Sequence, residues 1–531
     1  MQIVRIGNGS TEQPTPETVG AKAANLARMA VLGLPVPPAF VLPVGLCAAI
    51  VRGERDARER METGLAKGIA FLEEATGRTF GDGRRPLLVS VRSGAARSMP
   101  GMLETVLDVG CSHAATQGLI RMTGHPRFAW DCRRRFLESY GNVVLGVPDA
   151  DFARARRAVL TGEGVADPQD LDGEALERLA EGYAALLEDR DDLVPDQPMA
   201  QLRGAAEAVY GSWMSPRAAA YRRIEHLEHL EGTAVTVQAM VFGNRGATSG
   251  AGVAFSRNPS TGATAPMIDV LLAAQGEDVV SGSRTPLAED ALAAAAPVAA
   301  AQLREVLARL EGAFGDVQDV EFTVEEGKLY ILQTRAAKRT PAAALRFAVA
   351  QVEEGLITPA EGLARLAGVD LDALVTTRLA EAWAPVATGT AASTGVAVGR
   401  VAFSSERAQE LAAAGEPVIL VRPDTSTLDV VGFSVAAGIV TAVGGRTAHA
   451  ALVARQMGKP CVVGCAAVHV EPSAARAQIA GHPVAEGDWL SIDGRAGTIH
   501  LGRSRIVTER PDADLARVAS WRQAAREPAC A

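Results

Sequence analysis

The chain has 531 residues, 48% hydrophobic and 22% charged, with 53 Lys+Arg against 62 Asp+Glu for a net charge of −9. At roughly 150 residues per domain this is a globular chain of two to four domains, and its negative balance excludes the long-range positive field that gathers nucleic acid or an anionic membrane surface. The most apolar stretch, Ala291 to Leu303, is mostly alanine, is interrupted by Pro297, and falls short of the about 20 apolar residues that span a bilayer.

The N-terminus has neither a basic start nor a long apolar run, so a cytoplasmic protein is expected. The six cysteines are scattered, without the spacing of a disulfide framework or a zinc site, and read as buried thiols. Helical and strand signals then alternate from the N-terminus: a helix over Ala21 to Met29 stopped by Gly33, and an apolar strand over Ala39 to Leu42. That alternation argues for an α/β fold. From Asp131 to Val194 the texture is charged and helical, which predicts a helical insert over about 112–195, with Arg133-Arg134-Arg135 on a solvated helix side. His226 and His229 lack a third obvious ligand and read as an exposed helix face rather than a metal site.

Strands are predicted again over Thr233 to Phe242 and Gly252 to Ser256, followed by a helix with Leu303, Val306, Leu307 and Leu310 on one face. Val317 to Thr323 and Leu329 to Gln333 flank Glu325-Glu326-Gly327-Lys328, a hairpin signal. The resulting division is a first domain over 1–340, a helical linker over 341–387, a compact Val-, Ala- and Gly-rich domain over 388–507, and a polar helical tail over 508–531.

The most informative segment runs from Gly438 to Gly464 and reads strand, glycine turn, helix, strand. Thr447 is a good N-cap, which puts His449 in the first helical turn, where the positive end of the helix dipole disfavours imidazolium. A neutral imidazole is a nucleophile, and the unpaired amides of that turn and of Gly444-Gly445 can receive phosphate oxygens. Taken by itself, a histidine at a helix start is more often a surface or capping residue.

Gly444-Gly445-Arg446-Thr447-Ala448-His449-Ala450-Ala451, followed by Ala454-Arg455, Gly458 and Cys461-Val462-Val463-Gly464, resembles the phosphohistidine motif of enzymes that use or make phosphoenolpyruvate. The resemblance covers nearly the whole chain and points to the pyruvate phosphate dikinases. Gly20-Ala-Lys22 and Gly33-Leu-Pro-Val-Pro-Pro are similar to that family's N-terminus, and Leu88 to Leu107, with Arg92, Gly101 and Thr105, to its phosphate loop. Thr236 to Phe242, Phe255 to Pro259, Ala274 to Val280, Gln318 to Thr323 and Leu332 to Arg335 follow in the family's order.

The resemblance implies an ATP-grasp nucleotide-binding domain with a helical insert, then a swivelling α/β phosphohistidine domain carried on the linker as a hinge. It implies catalytic roles for His449, Arg92, Lys22, Arg335 and Thr447, and nucleotide contacts from Lys22, Arg92, Gln238, Met240, Val241, Glu277, Asp278, Gly101 and Thr105. Asp319 and Glu321 lie two apart on one strand and so face the same way, and with Gln333 they suit Mg2+, which prefers oxygen ligands and substrate phosphates.

The implied activity is a dikinase-type phosphotransferase: ATP phosphorylates His449, AMP leaves, and phosphate takes the terminal phosphoryl group as pyrophosphate. The histidine then passes its phosphoryl group to a small molecule or a separate protein. The phosphate-loop sequence favours phosphate over water, whereas Ala448, where dikinases commonly have serine, and Gly445-Arg446-Thr447 look more like the water-using synthases. The family's C-terminal barrel takes about 250 residues, and no such stretch follows residue 507, so the barrel is expected to be missing, and the sequence leaves the oligomeric state open. Two alternatives stay open: a split dikinase whose barrel is on another chain, and a non-catalytic regulatory remnant. The stretch from 340 to 390 is too short for the drug-binding helical domain of rifampin phosphotransferases.

Overall fold

The computed structural model describes residues 3–97, 99, 102–188, 190, 193–280, 284–380, 383–424, 430–446, 448–471 and 475–526, with Val280, Val430, His449 and Arg526 described by backbone alone. Helices and sheets are mixed throughout, as in an α/β protein. The chain divides into two compact units, Met1–Gly246 with Tyr330–Thr334, and Ala247–Leu329 with Arg335–Ala531. No helix among the described residues is long and apolar enough to cross a membrane. The five cysteines among them are buried and free.

The first unit is built on an antiparallel sheet in the order Val4–Ile6, Ala39–Leu42, Ala234–Ala239, Val89–Gly94, Thr105–Val109. Period-two alternation sorts its faces. Val89, Val91, Val235, Val237 and Ala239 enter the apolar core. Ser90, Arg92, Thr236 and Gln238 take the other face, Arg92 opposite Thr236 and Ser90 opposite Gln238. The helical region continues past residue 195, through Pro198–Gly211 and Pro216–Ile224. His226 and His229 are exposed, but they follow the last helix in a turn instead of lying on its face.

The helix Pro126–Val143 corrects the expectation of a solvated arginine face, since Arg134 and Arg135 are buried. Both converge on the buried Asp131: Arg134 Nε donates to Oδ1 at 2.8 Å and Arg135 Nε to Oδ2 at 3.0 Å, while Asn244 Nδ2 reaches Oδ2 at 2.7 Å. Burial alone would raise the Asp131 pKa, but the two guanidinium groups and the amide outweigh it and hold the carboxyl well below its usual range. A carboxyl depressed in the folded state contributes stability above its unfolded pKa of about 3.9 and loses it as pH falls through the folded value. Asp131→Asn is therefore expected to cost about 3–5 kcal/mol at pH 7, by leaving buried arginines uncompensated. The gap between the two proteins in thermal-unfolding midpoint should shrink below about pH 4.

In the second unit an antiparallel sheet runs Leu287–Ala288, Met267–Leu272, Gly250–Phe255, Gln318–Glu325. The helix Pro297–Phe314 buries Leu303, Val306, Leu307 and Leu310, as its spacing predicts. Further on, an eight-stranded sheet has four neighbouring parallel strands at its centre, Val396–Ala402, Val418–Arg422, Gly438–Thr441 and Cys461–Val463. The Ala/Thr/Gly-rich stretch near residue 390 contributes the strands Ala387–Thr388 and Thr390–Ser393 to the same sheet.

The expected linker is largely structured. Helix Pro341–Glu353 is capped by Thr340, and Pro359–Arg365 by a reciprocal Thr358–Glu361 box. The helix Asp512–Arg526, expected as a polar tail, places Val518 in one apolar cluster with Leu345, Val349, Leu366 and Leu374. Arg257 pairs with the buried Glu311 at 2.6 Å and with Glu354, and Arg339 with Asp316 at 2.7 Å, so these helices are tied to the sheet of residues 250–325. Beyond them the chain enters and leaves the eight-stranded sheet through Thr376–Leu379 paired with Ile506–Glu509.

Candidate functional site

In the first unit Lys22, Leu26, Arg92, Thr236, Gln238 and Gln333 line a cleft. Two glycines bring its cations together. Gly20 interrupts the first helix at φ 80°, ψ 153°, and a Cβ there would stand 2.2 Å from the Gly94 carbonyl oxygen. Ala21 N donates to Ala95 O at 2.9 Å across the same contact. Lys22 and Arg92 each lie two residues from this approach. Gly20→Ala is expected to cost about 2–4 kcal/mol, through a glycine-only backbone conformation and a backbone clash, and to weaken ATP binding at least tenfold by calorimetry.

Of the other residues expected at the nucleotide, Thr105 is the register partner of Arg92. Gln238 spends part of its amide on Pro37 O at 3.2 Å. The cleft lining does not include Met240 or Val241: Met240 packs against the apolar core, and its N–H donates to Leu88 O at 2.9 Å. Thr236 is a lining residue that sequence reasoning left unassigned, although its place two residues before Gln238 puts it on the same face. Gly101 and Thr447 lie outside the described residues.

The second unit carries Asp319, Glu321, Arg335, Glu277 and Asp278. Asp319 and Glu321 share a face of Gln318–Glu325, opposite Phe255 and Val253, and Val253 is in turn opposite Asp269, so three carboxylates line one face of the sheet. Arg335 Nε donates to Asp319 Oδ2 at 2.9 Å, while the buried Oδ1 has no hydrogen-bond partner among the described residues. Burial pushes the Asp319 carboxyl up and the Arg335 charge opposes that. Glu277 and Asp278 sit on the short helix Gly276–Val280, where Asp278 Oδ2 accepts from Gln275 N at 2.9 Å. Among the described residues no three His, Cys, Asp or Glu side chains converge on a metal position. An orphaned carboxylate oxygen beside a second carboxylate fits Mg2+ that takes its remaining ligands from phosphate and water. Gln333, expected beside them, also lines the cleft of the first unit with Lys22 and Arg92.

His449 begins the helix His449–Gln456, after the parallel strand Gly438–Thr441. It thus stands at the carboxyl end of the parallel strands, where open α/β sheets place their ligands. The N-cap is Ala448, without a side-chain cap, one residue later than the Thr447 expected from propensity. The loop before it is clamped: Arg446 Nη1 donates to Asp269 Oδ1 at 3.0 Å and Arg446 N to Oδ2 at 3.2 Å. Asp269 was missed in the sequence. Its signal is an acid alone in the apolar run Met267-Ile-Asp-Val-Leu-Leu, a pattern that calls for a buried partner.

These features suit a nucleotide-binding protein. Residues 57–297 and 287–355 match the family model "Pyruvate phosphate dikinase, AMP/ATP-binding domain", and residues 414–497 match "PEP-utilising enzyme, mobile domain". The chain is 42% identical over 509 residues to pyruvate, phosphate dikinase of Clostridium symbiosum, covering 95% of this chain and 58% of that one. It is 41% identical to pyruvate, phosphate dikinase 2 of Zea mays (98% and 60%) and 40% identical to pyruvate, phosphate dikinase of Rhizobium meliloti (99% and 60%). The chain belongs to the pyruvate, phosphate dikinase family, and it spans less than two thirds of the length of these relatives.

Proposed function

We propose that the chain uses ATP to phosphorylate its own His449 and passes that phosphoryl group to a small-molecule or protein acceptor. The observation that carries this reading is the Arg446–Asp269 pair, which joins the loop before His449 to the sheet face bearing Asp319 and Glu321. In the first step a nitrogen of the His449 imidazole attacks the β-phosphorus of ATP, the bond from that phosphorus to the α-phosphate oxygen breaks, and AMP leaves. An oxygen of phosphate then attacks the γ-phosphorus, the β–γ bridge breaks, pyrophosphate departs, and phosphohistidine remains. Lys22 and Arg92 neutralise phosphate charge in the cleft, and Arg335 steadies Asp319. Asp319 and Glu321 would hold Mg2+, which supplies charge neutralisation at the transferring phosphoryl group. The Thr376–Leu379 and Ile506–Glu509 ribbon is the hinge on which the His449 domain travels to its acceptor.

Phosphate as the second acceptor is supported by the names of the relatives, which also make pyruvate the first candidate for the final one. A second reading has its own observation: the match covers only 58–60% of those relatives, so the pyruvate half-reaction would draw on sequence beyond this match. Product analysis tests the scheme. AMP and pyrophosphate formed in equal amounts, dependent on added phosphate, support dikinase chemistry. Release of phosphate without added phosphate would replace it with the water-using reaction.

A further inference from the structure

Arg455, near the end of the His449 helix, is fully buried. Such a group costs several kcal/mol to bury, and an apolar side chain would fill the space more cheaply. Its contacts show what it holds. Nη1 donates to Ala392 O at 2.9 Å and Nη2 to Arg446 O at 2.6 Å, and the guanidinium carbon lies 5.7 Å from the centre of the Phe255 ring. Arg446 is thereby gripped on three sides: its N–H and guanidinium by Asp269, its carbonyl by Arg455. The carboxylates that favour the Arg455 charge, Asp319 and Asp269, both belong to the sheet of residues 250–325.

We propose that Arg455 is a positioning residue for phosphorylation of His449: it fixes the Arg446 end of the loop that starts the histidine helix while that loop is seated against the sheet of Asp269 and Asp319. This inference rests on the reading of His449 given above. The planar fork of arginine serves two carbonyls at once, which the single ammonium of lysine does not reproduce. Two residues separate Arg446 from His449, so a loop held at Arg446 limits the orientations open to the helix start.

The test uses the full chain and the variants Arg455→Met and Arg455→Lys. Amide hydrogen exchange over residues 442–456 is expected to quicken at least tenfold in Arg455→Met, at an unchanged or higher melting temperature. Single-turnover formation of phosphohistidine with magnesium and ATP is expected to slow about 100-fold, while ATP affinity stays within twofold. Arg455→Lys should fall between the variant and the wild type in both readouts. Unchanged exchange, or faster exchange with unchanged transfer, would overturn the proposal, as would a parallel loss of ATP affinity. Should Arg455→Met fail to fold, Arg455→Lys decides by the same criteria. A wild-type chain that forms no adduct sinks the reading of His449 itself, an outcome distinct from unchanged exchange in the variants.

Discussion

His449→Ala is expected to abolish the acid-labile phosphoryl adduct that the scheme forms with magnesium and ATP, and to lower AMP formation by at least about 10⁴-fold, more than about 5 kcal/mol in the barrier. The size of the effect follows from removing the nucleophile, for which a first-turn amide or a water offers no substitute. Position makes the variant a clean one. His449 is the first residue of an eight-residue helix, alanine is the best helix former, and the change should alter folding stability by less than about 1 kcal/mol. ATP binding, which the proposed scheme assigns to the cleft of Lys22 and Arg92 in the first unit, should stay within a factor of two by calorimetry. A variant that retained the adduct would move the phosphorylated residue elsewhere.

The second large effect is expected for Asp319→Asn, at about 10³-fold in turnover. The substitution keeps the shape of the side chain but removes the charge that faces Arg335 at 2.9 Å and that would bind Mg2+ through the buried Oδ1. Glu321→Gln should cost less, since Glu321 is only partly buried and water can replace a lost oxygen ligand there. The diagnostic is the magnesium titration of turnover. Half-maximal activity should need at least tenfold more magnesium in Asp319→Asn, and an unshifted titration would remove this carboxylate from the metal site.

Much of this architecture was legible in the sequence wherever a local rule decides it. The strand Ala234–Ala239 announces itself by alternation, the hairpin after Glu325 by its glycine turn, and the helix at His449 by the glycines before it and the apolar period after it. What stayed hidden depends on partners distant in sequence. Arg134 and Arg135 look like surface charges because Asn244, 113 residues from Asp131, completes their network. Arg446 meets Asp269 across 177 residues, and no periodicity links the two. Gly20 reads as a helix breaker, yet its use is the approach to Gly94 that brings Lys22 and Arg92 to one cleft. Thr447 outranks Ala448 as a cap by propensity, and the structure starts the helix one residue later than that rule predicts.

The most direct test of the central claim is to incubate the chain with magnesium and phosphate and with ATP labelled at either the β- or the γ-phosphorus, then follow the label in the intact protein. The scheme predicts that the β label stays on the wild-type protein in an acid-labile bond that His449→Ala cannot form, and that the γ label leaves in pyrophosphate. A protein that keeps the γ label, or keeps no label while AMP accumulates, would contradict phosphorylation of His449 by the β-phosphoryl group of ATP.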